Sequence, residues 1–237
     1  MIQSALITGA SRGLGATLAR FLAGCGATLL LTARDAQALK AQAETCRDLG
    51  AQQVIWRAGD LADTTHRFAL AQAAEELGGL DLLVNNASTL KPLPLTPLCL
   101  TPPEVFREVL EVNVLAPLEL IQLTLPLLRT RQGLIVQLSS DAAHAGYPGW
   151  GAYGASKAAL ELLSLSLAQE LDGVSVVVVD PGDLRTQLHQ EALPEEDPSQ
   201  LPPPEVTLPF WAWLLSQDPL RLNGHRFEAQ STVWEAP

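Results

Sequence analysis

Nearly unbroken apolar runs of strand length recur along the chain, at 5–7, 29–32, 54–56, 80–84, 134–138 and 174–179. A strand that is apolar at successive positions is covered on both faces, as strands of a parallel sheet are. Between the runs lie longer segments with helical spacing, near 13–25, 35–49, 64–77, 103–129, 153–171 and 205–216. Residues 223–228, Asn-Gly-His-Arg-Phe-Glu, read as a last strand. Alternating elements of this kind predict an α/β doubly wound fold, a mostly parallel seven-stranded sheet with helices on both faces. With 237 residues, 47% of them hydrophobic, and no linker-like stretch, the chain reads as one domain over 1–237.

Ligands of such sheets bind beyond the C-terminal ends of the strands. The first strand runs into Thr8-Gly-Ala-Ser-Arg-Gly-Leu-Gly15, which then opens a helix, so backbone N–H groups at Gly9, Ser11, Arg12, Gly13, Leu14 and Gly15 can receive a pyrophosphate. That is the dinucleotide-binding corner of a Rossmann fold. Gly9-Ala-Ser-Arg-Gly13 also matches the G-x-S-x-G elbow of hydrolases, with Asp180 and His225 as conceivable triad partners. Topology rejects it, because the elbow borrows an N–H from a loop after an earlier strand, and the residues before Ser11 are consumed by the first strand.

The second strand ends at Leu31-Thr-Ala-Arg34, where an enzyme using NAD carries an acid for the ribose hydroxyls. Arg34 and Arg12 instead offer guanidinium groups to the 2′-phosphate of NADP(H), with Asp35 next door as the complicating charge. Tyr153 and Lys157, four apart on a helix, share a face. Bringing a phenol from a pKa near 10 to about 7 needs roughly 4 kcal/mol of preferential phenolate stabilisation, much of which an adjacent cation in a dry site supplies. Pro117 has no N–H for the carbonyl of Asn113, which frees that oxygen in mid-helix to hold a water.

The run from Ser139 to Lys157, with the glycine loop, resembles the short-chain dehydrogenase/reductase family, whose signature is Tyr-x-x-x-Lys preceded by a serine. The resemblance extends from Gly9 to Thr186. It implies reversible carbonyl/alcohol interconversion on a small molecule, reduction being favoured with NADPH. Ser140 would polarise the substrate carbonyl, Tyr153 would donate the proton, Lys157 would also hold the nicotinamide ribose, and Asn113 would complete a water relay. Ser139 ranks below Ser140 on spacing. Asp60-Leu61 matches the adenine contact, Asn85-Asn86-Ala87-Ser88 the Asn-Asn-Ala-Gly turn with serine in place of glycine, and Pro181-Gly182 with Thr186 the carboxamide-binding stretch. A homodimer or homotetramer is implied, and Ala155, Ala158 and Ala159 would permit close helix pairing. The family's glycine-rich ending is missing, which leaves the end of the pocket open. A non-catalytic NADP-sensing or scaffolding module of the same fold is the alternative, disfavoured because a sensor needs no proton relay.

Segments 90–101, 144–150 and 183–205 should surround the reacting carbon, with His144, Tyr147, Trp150, Leu184 and Leu188 at the substrate pocket. Tyr147 and Trp150 read equally as pocket wall or core. The last segment, rich in proline and acid, reads as an irregular lid that excludes water. His144 and His189 have no partner at metal-ligand spacing, so no metal is expected. Twenty-six acidic against fifteen basic residues, a formal net charge of -11, argues against nucleic acid or an acidic membrane as partner. Residues 1–8 lack a basic leader region and no apolar run reaches membrane-spanning length. Cys25, Cys46 and Cys99 read as packed thiols in a reducing cytoplasm.

Overall fold

The computed structural model describes residues 2–236. Seven strands, β1 (Ser4–Thr8), β2 (Thr28–Ala33), β3 (Gln53–Ala58), β4 (Leu82–Asn85), β5 (Leu134–Leu138), β6 (Ser175–Asp180) and β7 (Arg226–Glu228), form one sheet in the order β3-β2-β1-β4-β5-β6-β7. Every pairing is parallel, the short β7 included, so the expected doubly wound sheet is present and wholly parallel.

The unbroken apolar runs have the meaning their patterning gave them. In β1, Ala5 and Ile7 join a core with helices α1 (Gly13–Gly24) and α2 (Ala36–Asp48), while Leu6 joins the opposite core with α3 (Thr64–Glu75) and α5 (Ala116–Arg131). Strand order reverses between β1 and β4, so their following loops part and leave a crevice. Helix α6 (Gly151–Glu170) lies beside that crevice, and α4 (Pro103–Leu110) leads into α5 through a π-helical turn at Glu111–Leu115. The combined helix Pro103–Arg131 is long and apolar enough to cross a membrane by length and composition, which the sequence reading overlooked. Here it seats Leu120, Ile121 and Leu128 against the sheet and pairs Glu111 and Glu119 with buried Arg67 of α3.

Three differences from the sequence reading have physical causes. The lid is less irregular than expected, because Thr186 caps a short helix α7 (Gln187–Ala192) by accepting from the His189 N–H. Only Cys46 is packed; Cys25 and Cys99 are exposed. The chain end is closed by an aromatic cluster of Phe210, Trp211 and Trp213 on α8 (Leu208–Leu214) with Phe227 and Trp234, and α9 (Pro219–Leu222) then leads to β7. Trp211 is fully buried and its indole N–H donates to Thr207 Oγ1 at 3.1 Å. Trp211→Ala should therefore cost about 3–5 kcal/mol. Urea unfolding followed by circular dichroism checks this, and an unmoved midpoint contradicts it.

Candidate active site

The loop after β1 is held open by its partner loop after β4. Thr8 Oγ1 accepts the N–H groups of Asn86 and Ala87, both at 3.0 Å, and Asn86 Nδ2 donates to the carbonyls of Thr8 at 2.8 Å and Gly9 at 3.2 Å. A Cβ on Gly15 would lie 2.5 Å from both Asn86 Nδ2 and the Gly9 oxygen, so the approach needs glycine there. Gly9 adds φ +66°, a left-handed backbone. Arg12 stands at the N-cap of α1 without a side-chain cap, and no acid occupies the first turn. The helix thus presents free N–H groups and its positive end to the crevice, which suits a pyrophosphate.

A cleft of about 750 Å³ runs from this loop across the strand ends to the lid. Along it lie Gly9, Ser11, Arg12, Gly13 and Leu14; then Arg34, Asp60 and Leu61; then Asn86 and Ala87; and finally Pro181, Gly182 and Thr186. Gly15 is buried behind the loop. Arg34 and Asp35 are both exposed and both line the cleft, and Asp35 also uses its Oδ1 to cap α2, accepting from the N–H groups of Gln37 and Ala38 at 3.0 Å. Arg12 Nη1 donates to Gln187 Oε1 of the lid helix at 2.6 Å. The donor set fits a dinucleotide, with the uncapped helix suited to a pyrophosphate, Arg12 and Arg34 along the same cleft and Lys157 at its far end.

At that far end Ser140, Tyr153 and Lys157 share the cleft with Leu90, Trp150, Leu184 and Leu188. Trp150 meets the Tyr153 ring edge to face, centroids 5.6 Å apart. Lys157 Nζ lies 5.5 Å from the centre of that ring and donates to the Leu138 carbonyl at 2.8 Å. Burial drives the lysine pKa down to about 8, against the opposing pull of Asp180 and Glu161. Burial also pushes the Tyr153 phenol above its ordinary value, while the hydroxyls of Ser140 and Ser88 draw it down.

Asn113 is buried in the π turn, one side chain removed from the cleft. The turn arises where Pro117 withholds its N–H, and Ala116 bonds back to Glu111 across the wider ring. The Asn113 amide accepts the Thr89 N–H at 2.8 Å and donates to the Thr89 carbonyl at 3.0 Å and Ser156 Oγ at 2.9 Å.

His144 and Tyr147 are not brought to the cleft. His144 Nε2 turns to Glu161 Oε2 at 2.7 Å, and exposed Tyr147 donates to Asp141 Oδ2 at 2.6 Å. The pull on His144 comes from a cluster the sequence reading missed: Glu161 Oε1 accepts from Ser139 Oγ at 2.5 Å and Arg226 Nε at 3.1 Å, and Arg226 Nη2 reaches Asp180 Oδ2 at 2.7 Å. Gln230 was also missed. Its Nε2 donates to the carbonyls of Pro181 at 2.9 Å and Asp183 at 3.0 Å, holding the lid's root in a chain end that lacks the family's glycine-rich ending. A glutamine two residues past a strand gives no local signal of this.

The family model for short chain dehydrogenase matches residues 3–197. The chain belongs to the short-chain dehydrogenase family. It is 36% identical over 230 residues to the Escherichia coli K12 oxidoreductase YciK, itself uncharacterized, covering 95% of this chain and 90% of that one. A Shigella flexneri 2a structure in complex with NADP superposes with TM-score 0.90 at 34% identity, over 97% of each chain. One from E. coli CFT073 in complex with NADPH gives 0.88 at 35% identity, again over 97% of each. Sheet order and crevice are thus those of a family of oxidoreductases.

The buried ammonium of this short-chain dehydrogenase sets a pH dependence. A lysine with a pKa near 8 carries its charge below that pH and loses it above, so whatever it holds weakens as pH rises through that value. Titration of the lysine ζ resonances by NMR in the ligand-free protein should show Lys157 ionising near pH 8. A Lys157 midpoint at the ordinary lysine value contradicts this placement.

Proposed function

We propose that the protein interconverts a carbonyl and an alcohol on a small organic molecule with NADP(H), Tyr153 acting as general acid and base. The observation that carries the reading is the convergence of Ser140, Tyr153 and Lys157 at one end of the cleft whose other end is the uncapped helix and Arg34. When bound, the dihydronicotinamide supplies the hydride. Ser140 polarises the substrate oxygen and Tyr153 gives it a proton. Lys157 favours the phenolate and holds the nicotinamide ribose; the Asn113 carbonyl, released by Pro117, holds the water that returns a proton from solvent. The walls beside Tyr153 are Leu90, Trp150, Leu184 and Leu188, so the substrate is uncharged and largely apolar near its carbonyl. Leu184 and Leu188 on the lid exclude water from that end.

NADP(H) is preferred over NAD(H) because Arg34 faces the cleft and Asp35 spends an oxygen on its helix cap. The same resemblance supports a homodimer or homotetramer built on α6, where Ala155, Leu162 and Leu165 are exposed; a monomer mass by light scattering removes this part. Unpaired cysteines support a cytoplasmic setting, which cell fractionation tests.

NADPH should bind more tightly than NADH by about tenfold or more, the worth of a charge-assisted contact to phosphate. Fluorescence titration measures it, and Arg34→Asp should move the preference toward NADH. In a screen of apolar ketones, Tyr153→Phe should lower turnover by about a hundredfold or more while NADPH affinity survives. Equal turnover by Tyr153→Phe sinks the catalytic assignment, and an unmoved preference in Arg34→Asp sinks the cofactor assignment.

A further inference from the structure

Arg67 of α3 stands outside the cleft, with its side chain 6% exposed. Each of its three nitrogens has a partner. Nε donates to Glu119 Oε2, Nη1 to Glu111 Oε1 at 2.9 Å and to the Leu61 carbonyl, and Nη2 to Thr64 Oγ1 at 2.9 Å. The two carboxylates bracket the π turn, Glu111 opening it and Glu119 lying one turn into α5. Along an unbroken α-helix each residue advances about 100°, so these glutamates, eight apart, would stand about 80° out of line. A π turn takes in one residue more than an α turn. Past it the pair behaves as though seven apart, about 20° out of line, and one guanidinium meets both. A proline by itself removes a bond from the helix and does not dictate the extra residue. The clamp favours it, because the wide turn is what brings both acids to Arg67.

Asn113 follows Glu111 by two residues and so lies about 200° round, on nearly the opposite side of the helix. There its amide accepts the Thr89 N–H and donates to the Thr89 carbonyl and Ser156 Oγ. The turn is gripped from both sides, by α3 on one and by α6 and the loop after β4 on the other. We propose that Arg67 is a positioning residue for Asn113: by joining Glu111 to Glu119 it selects the π turn, and the π turn keeps Asn113 against Thr89 and Ser156. The proposal rests on the functional reading above, in which Asn113 belongs to the proton relay. The Leu61 carbonyl ties the same guanidinium to a residue of the cleft wall, so the clamp joins that wall to the relay turn.

The Thr89 N–H, held by Asn113 Oδ1 at 2.8 Å, reports on the turn; the Ala87 N–H, held by Thr8 Oγ1 at 3.0 Å, is its control in the same loop. Amide hydrogen exchange is followed by NMR at both. Arg67→Met keeps the stem and removes the clamp, leaving Glu111 and Glu119, 33% and 29% exposed, for water to satisfy. Exchange at Thr89 should rise by about tenfold or more relative to Ala87. Glu111→Leu should do the same, and Glu111→Gln, which leaves Nη1 an oxygen, should raise it less. A general loosening speeds both amides together; that result, or an unmoved ratio, overturns the role of Arg67. Should Arg67→Met not fold, Glu111→Leu carries the test with the same two outcomes. With NADPH and a carbonyl substrate that the wild type turns over, Arg67→Met should lower kcat by about tenfold and leave the substrate KM unchanged. A shifted exchange ratio with an unchanged kcat keeps the clamp and removes Asn113 from the proposed reaction, which separates the two failures.

Discussion

Burying the Lys157 ammonium is the constraint around which the rest of the site is arranged. A cation out of water costs several kcal/mol unless partners replace its hydration. One partner is the Leu138 carbonyl at the end of β5, and Asp180 and Glu161 add negative charge nearby. Those two carboxylates are themselves deep, and Arg226 bridges them from β7. The short last strand therefore does more than finish the sheet, since it supplies the charge that lets two acids sit behind one lysine. With the balance still leaving Lys157 near a pKa of 8, the ammonium is poised to gain from any further acceptor in the cleft.

The opposite end of the cleft solves a different problem, bringing backbone close to a polyanion. Thr8 and Asn86 tie the two loops at the strand switch together, and the glycines between them leave no side chain in the way. Charge there is mixed: Arg34 and Asp35 both line the cleft, and one Asp35 oxygen is taken by its helix cap. Arg12 links this end of the cleft to the lid through Gln187.

The fold was legible because its signals are local. Continuous apolar runs gave strands covered on both faces, and the glycine loop and the Tyr153–Lys157 spacing lie within single turns. Pro117 likewise marked an irregularity in the helix at Asn113, although the form it takes, a π turn at Glu111–Leu115, was not foreseen. What escaped depends on distant pairing. His144 looked like a pocket residue from its place between Ser140 and Tyr153, yet Glu161, seventeen residues on, draws it away. Gln230 and Arg226 act on groups more than forty residues earlier. The aromatic closure by Trp211, Trp213 and Trp234 could have been suspected from tryptophan density alone.

If the cofactor and the phenol both lean on one buried cation, NADPH affinity must depend on whether that cation is charged. The direct measurement is the NADPH dissociation constant between about pH 7 and 10, for the wild type and for Lys157→Met. Affinity in the wild type should fall as the ammonium is lost, and the methionine variant should bind more weakly at neutral pH with no such fall. Parallel curves for the two proteins would show that the cofactor does not rest on Lys157, and the account would fail at its base.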